Sequence, residues 1–184
     1  TCTIKGLSPL LMNRFHENAE VAVGSGTRVS VKAKNQTPRE EATDKAYRDK
    51  EGNLFIPGPN IFASIIAAGI FHKVGKSKLT TQKSSLIPAG LVVEELICSL
   101  GTKEFEVDSR SVVIPSTGGR IMAHRPRLDE WGLSFTLDVD SDMFNEKTAR
   151  ILVDDAGKKT GLGDFLTQRK GPFGRFSVFG WEIS

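Results

Sequence analysis

A glycine-threaded loop, residues 161–176 reading GLGDFLTQRKGPFGRF, lies between an amphipathic helix pattern and the last strand pattern of the chain. Its four glycines, Gly161, Gly163, Gly171 and Gly174, constrain the local fold most. Glycine lets a backbone turn sharply and approach another group closely. Consecutive exposed amides near a helix end make a concavity that favours anions, and Arg169, Lys170 and Arg175 add charge to it. This combination predicts a phosphate backbone as ligand, and so a binder of single-stranded nucleic acid. A glycine hairpin carrying ordinary surface bases is the plain alternative, since glycine loops are common.

The distribution of charge favours the first reading. The net charge is only +3, but residues 24–34 carry +3 and residues 109–128 carry +4, both without an acid. Residues 158–175 hold five bases against Asp164, which leaves −8 for the remainder of the chain. An acidic body bearing basic loops is the electrostatic footprint of a nucleic-acid binder. At 184 residues the chain is long enough to bury one core, and a single domain over residues 1–184 is expected. Cys2 and Cys98 cannot make a disulfide framework, and neither a membrane-length apolar run nor a signal-peptide plan is present, so a cytoplasmic setting is expected.

Periodicity sketches the elements. Residues 1–7 alternate as a strand, and a long polar connection follows over about residues 13–50, a length that is usually functional or mobile. A short strand at 53–57 leads into Pro57-Gly58-Pro59-Asn60, which opens a helix apolar nearly all round through Ile61, Phe62, Ile65 and Ile66. Residues 86–100 and 105–114 read as strands, and Gly118-Gly119 makes a turn flanked by bases. Residues 131–139 form the cleanest alternating strand, residues 140–142 offer helix caps, and Phe144, Thr148, Ile151, Leu152 and Ala156 mark one face of a second helix. Residues 176–183 close the chain as a strand. The expected class is α+β: a ferredoxin-like or RRM-like antiparallel sheet with two helices on one face and an inserted basic hairpin. The other face is left free for RNA.

Three features together resemble the RAMP superfamily, the repeat-associated proteins of CRISPR systems. They are the opening strand running into Ser8-Pro9-Leu10, the strand-to-helix turn Leu54-Phe55-Ile56-Pro57-Gly58-Pro59-Asn60, and the glycine loop before the final strand. The resemblance is strongest to backbone subunits that polymerise along guide RNA in a ribonucleoprotein effector complex of antiviral defence. It implies an RRM-like palm, a basic hairpin or thumb at about residues 107–127, and stacking of one copy on the next. It implies RNA phosphates near Asn13, Arg14 and His16, near Gly58 and Asn60, and along Gly161, Gly163, Arg169, Lys170, Gly171, Gly174 and Arg175. On the thumb it points to Arg120, His124, Arg125 and Arg127. Partners would be single-stranded RNA, copies of the chain and other subunits, with no membrane, metal or cofactor. The run from Lys170 to Phe176 is also similar to the aromatic strand motif of the RRM, which makes Phe173 a candidate for base stacking, a contact of about 1–3 kcal/mol.

His16, His72 and His124 are the only histidines, and none shows metal-ligand spacing with another residue. Resemblance to metal-independent RNases gives His16 a possible role in activating a ribose hydroxyl. Resemblance to target-cleaving subunits gives Asp44 one as an acid in the long connection. The expectation is a non-enzymatic RNA-binding subunit; the alternatives are an endoribonuclease using His16 or Asp44, and an assembly protein that binds another protein.

Overall fold

The computed structural model describes residues 1–15, 36–113 and 118–183. Along them run β1 (Cys2–Gly6), β2 (Leu10–Leu11), α1 (Pro38–Asp44), β3 (Phe55–Pro57), α2 (Gly58–Ala68), β4 (Lys73–Val74), β5 (Ser77–Lys78), β6 (Leu91–Val93) and β7 (Ile97–Ser99). Then come β8 (Glu106–Val113), β9 (Arg120–Leu128), β10 (Gly132–Phe135), β11 (Leu137–Val139), α3 (Glu146–Asp155) and β12 (Phe176–Trp181). The protein is α+β, with its strands in small antiparallel sheets.

The first strand is central. β1 pairs antiparallel with β10 on one side and β12 on the other. Alternation places Cys2 and Ile4 inside, opposite Phe135 and Leu133 of β10, while Thr3 and Lys5 face out. α2 and α3 contribute Ile61, Ile65, Ala68, Ala149, Leu152 and Val153 to the same continuous buried core as Cys2 and Ile4. Burial of such side chains contributes about 1.5–3 kcal/mol each and is the main force seating both helices.

Local chemistry moved several boundaries. The strand expected over 131–139 breaks at Thr136, whose N–H donates to both oxygens of Glu95 at 2.8 and 2.7 Å. The run 86–100 is likewise interrupted, giving β6, which pairs with β11, and β7, which pairs with β3. α3 is capped by Asn145, whose Oδ1 accepts the Thr148 N–H at 2.9 Å, and not by the acids at 140–142. Its buried stripe runs through Ala149, Leu152 and Val153 to Ala156 just past the helix end, and Ile151 is exposed. The end of the long connection folds as α1, started by a capping box between Thr37 and Glu40.

β8 and β9 form the longest hairpin, in register from Glu106↔Arg127 to Val113↔Arg120. β2 extends it as a third strand through Leu10↔Leu128 and Leu11↔Arg127. α1 braces its base: the Arg39 guanidinium lies 4.0 Å over the Phe105 ring, and Lys45 Nζ donates to the His124 carbonyl at 3.0 Å.

Candidate nucleic-acid interface

The loop after α3 is a threaded structure. The helix passes into a wider turn, Ala156–Thr160, and the chain then laces around the segment joining β1 to β2. Leu162 N–H donates to the Gly174 carbonyl (2.9 Å), Gly174 N–H to Pro9 (2.8 Å), Asp164 N–H to Leu11 (2.8 Å) and Gly171 N–H to Leu166 (3.0 Å). Gly161 N–H donates to Ala156, and Arg175 N–H to Ser8 Oγ at 3.0 Å. The expected cradle of exposed amides is thus taken up inside the protein at these positions. The glycines serve close passage of two backbone segments.

The same lacing brings the loop against the β8–β9 hairpin. Between them lies an open cleft of roughly 580 Å³, lined by Arg110, Ser111, Arg125, Asp164, Phe165 and Arg169, among others. Arg125 and Asp164 form an ion pair across it at 2.7 Å, with the Nε–H off the line of contact. Arg110 is held by Asp108 at 3.0 and 2.7 Å and stacks 4.6 Å over the Phe173 ring. Phe173 is 5% exposed, closed over by Arg110 and lying 6.1 Å from Phe165. The ring with free surface is Phe165, 40% exposed, on a backbone with φ +47°. A bulky residue rarely adopts that conformation, and it costs on the order of 1–3 kcal/mol, so the surrounding loop over-determines it.

The candidate residues therefore separate. Arg120, Arg169, Lys170 and Arg175 have exposed side chains, and among the described residues none of them has an ion-pair partner. Arg127 is held between Asp129 (2.8 Å) and Asp108 (4.0 Å). His124 is tied at Nδ1 to Ser109 Oγ (2.7 Å), its backbone N–H donates to Glu41 (3.2 Å), and it is turned toward α1. Burial raises the Glu41 carboxyl, but Lys45 at 2.6 Å and the His124 amide outweigh it and hold Glu41 below its usual range. That contribution to stability is present above the ordinary glutamate pKa and is lost as the pH falls through the lowered one.

Gly58 is buried at the start of α2, against the Glu95 carbonyl, and Asn60 is exposed beside it. Asn60 lines a second, smaller cleft with Ser64, Gly161, Gly163 and Gln168, so the helix start and the glycine loop do meet. Ser64 Oγ donates to the Gly161 carbonyl at 2.8 Å and fixes that junction. Asn13 is exposed, and the Arg14 N–H donates to the Lys45 carbonyl at 2.9 Å. Asp44 ends α1 and accepts from Gln36 at 2.6 Å. His16 and the basic run 24–34 lie outside the described residues.

Part of the apparent positive excess is cancelled in three dimensions. Lys158 and Lys159 pair with Asp154 and Asp155, one helical turn back, and Asp108 and Asp164 neutralise hairpin arginines. Sequence reasoning missed Arg110, Asp164 and Phe165 as members of the cleft. The signal was present for Arg110, which belongs to the acid-free segment 109–128.

No family model matches the chain, and no curated protein matches it.

Among the described residues no group of histidine, cysteine and acidic side chains is arranged to hold a metal ion. No described helix is long and apolar enough to cross a membrane. Burial pushes the Cys2 thiol up to about 12 and the Cys98 thiol up to about 11, so neither is a thiolate at neutral pH. The native protein is expected to resist a small alkylating reagent and to label only once unfolded; rapid labelling of the folded protein would show that these thiols are accessible.

Proposed function

We propose that this protein is a single-stranded RNA-binding subunit of the RAMP kind, carried on a ferredoxin-like palm and assembled with copies of itself on guide RNA. The observation that carries the reading is the meeting of the β8–β9 hairpin with the loop 161–175 in one arginine-bearing cleft, with Phe165 exposed at its edge. The sheet order β10-β1-β12, with residues of two helices in the same buried core, supports the palm. Bases not neutralised by acids, Arg169, Lys170 and Arg175, supply phosphate contacts along the loop. Phe165, not the covered Phe173, offers a face for base stacking. The RNA sequence is read by base pairing of the bound guide, which needs only backbone capture from the protein.

The test is purification followed by separate digestion with RNase and DNase. RNase-sensitive fragments of uniform protected length are expected. A nucleic-acid-free protein that also ignores added RNA at low salt would end this reading.

Asp164 makes a second test. Its carboxylate sits where a phosphate would meet Arg125, so it competes with the ligand for that guanidinium. Asp164→Asn is expected to tighten RNA binding by about three- to tenfold and to steepen its salt dependence. Weaker binding with an unchanged melting temperature would show that Asp164 presents Arg125 instead of masking it.

A further inference from the structure

α3 carries oppositely charged surfaces at its two ends. At its N-terminal end lies a groove of roughly 560 Å³ that includes Asn145, Glu146 and Ala149 of the helix start. Its floor and wall are apolar, with Val139, Phe144, Trp181 and Ile183, the last 73% exposed. Its acidic members are Glu94, Asp138, Glu146 and Glu182, and among the described residues lining it there is no lysine or arginine.

At the C-terminal end of α3, His72 Nε2 lies 2.8 Å from Asp155, and Lys159 Nζ sits 5.0 Å from the centre of the Phe71 ring. These contacts anchor the base of the β4–β5 hairpin. Every residue from 73 to 78 is exposed, so the hairpin stands off the body. It presents Lys73, Lys76 and Lys78 around Val74, which is 56% exposed, with Phe71 half exposed at its root. Residues 70–86 contain four lysines and no acid.

The knob and the groove match in sign and in chemistry: a basic rim around an apolar tip, against an acidic rim around an apolar floor. They lie at opposite ends of one ten-residue helix about 15 Å long. We infer that the β4–β5 hairpin of one copy docks in the groove of a second copy beside the start of α3. A second copy is the occupant because each chain brings both surfaces, at equal concentration. The contact joins two different surfaces, so a copy docked through one of them keeps a free knob or groove at which a further copy can add.

This inference names the surfaces of the self-assembly proposed above, yet its test uses nucleic-acid-free protein. Failure of RNA binding therefore leaves it standing, and its own failure leaves RNA binding standing. The sedimentation of the protein is measured at low salt and at about 1 M salt, where the screening length is about 3 Å. The expected result is dimers and longer species at low salt and monomers at high salt.

Two charge-reversed variants decide the geometry, each checked for an unchanged far-UV spectrum and melting temperature. K73E/K76E/K78E destroys the knob, and E94K/D138K destroys the groove; all five side chains are exposed, so the fold is kept. Each variant alone is expected to lose association. Their equimolar mixture is expected to regain association, because the intact knob of one variant then meets the intact groove of the other. A monomeric wild type at low salt, variants that still associate, or a mixture that stays monomeric would each overturn the inference.

Discussion

Replacing Arg169, Lys170 and Arg175 together by alanine is expected to remove most of the affinity for single-stranded RNA. These side chains are exposed and, among the described residues, unpaired by acids, so removing them costs the fold little. Each phosphate contact on a single strand contributes about −0.7 to the slope of log affinity against log salt, so losing three flattens that slope by about 2. At low salt the loss is roughly a hundredfold, taking on the order of 1 kcal/mol per contact. Fluorescence anisotropy with a labelled oligoribonucleotide across a salt series measures both quantities. Lys103→Ala, which removes one exposed base away from the cleft, is the control and should leave both near wild type. An unchanged slope in the triple variant would remove the loop from the interface and return the bases to an ordinary solvated face.

Arg125 shows why charge counting along a sequence overstates such a site. It lies in an acid-free segment, and its ion-pair partner Asp164 is 39 positions later, brought close only by the lacing of the loop around β2. The same holds for Lys158 and Lys159, whose acids lie just outside the segment boundary chosen by composition. Periodicity was a better guide where it reported burial directly. β1, α2 and β12 lie where alternation or apolar content put them, because one face of each meets the same core. The failures have local causes that no period records. A glutamate carboxylate accepting a strand amide broke the run 131–139, and an asparagine cap at 145 started α3 later than the positions at 140–142 offered. The motif-like run from Lys170 to Phe176 pointed to Phe173, but that ring lies beneath Arg110, whereas Phe165, on a left-handed backbone position, is the ring exposed at the cleft.

Gly174→Ala is expected to destabilise the protein by about 3–4 kcal/mol, and it tests the claim that the loop glycines serve packing. Gly174 has φ +71°, and an added Cβ would run into the Leu162 carbonyl, which is backbone and cannot swing away. The positive φ alone costs about 1–2 kcal/mol for an L-residue; the rest is displacement of a strand of loop whose amides are bonded to Pro9 and Leu11. Gly52→Ala is the matched comparison, because its φ is +84° but nothing lies within 4 Å of the new methyl group. It should lose only the conformational part, about 1 kcal/mol. For a chain of this length each kcal/mol lowers the melting temperature by about 2–4 °C, so the two variants separate by several degrees in thermal denaturation. Equal losses would mean that the loop relaxes around the methyl group and is not tightly threaded. A larger loss at Gly174 carries a consequence for the proposed interface: RNA affinity is expected to fall in that variant with the salt slope kept, since the bases remain and only their platform is disturbed, whereas the triple alanine variant is expected to lose slope and keep stability.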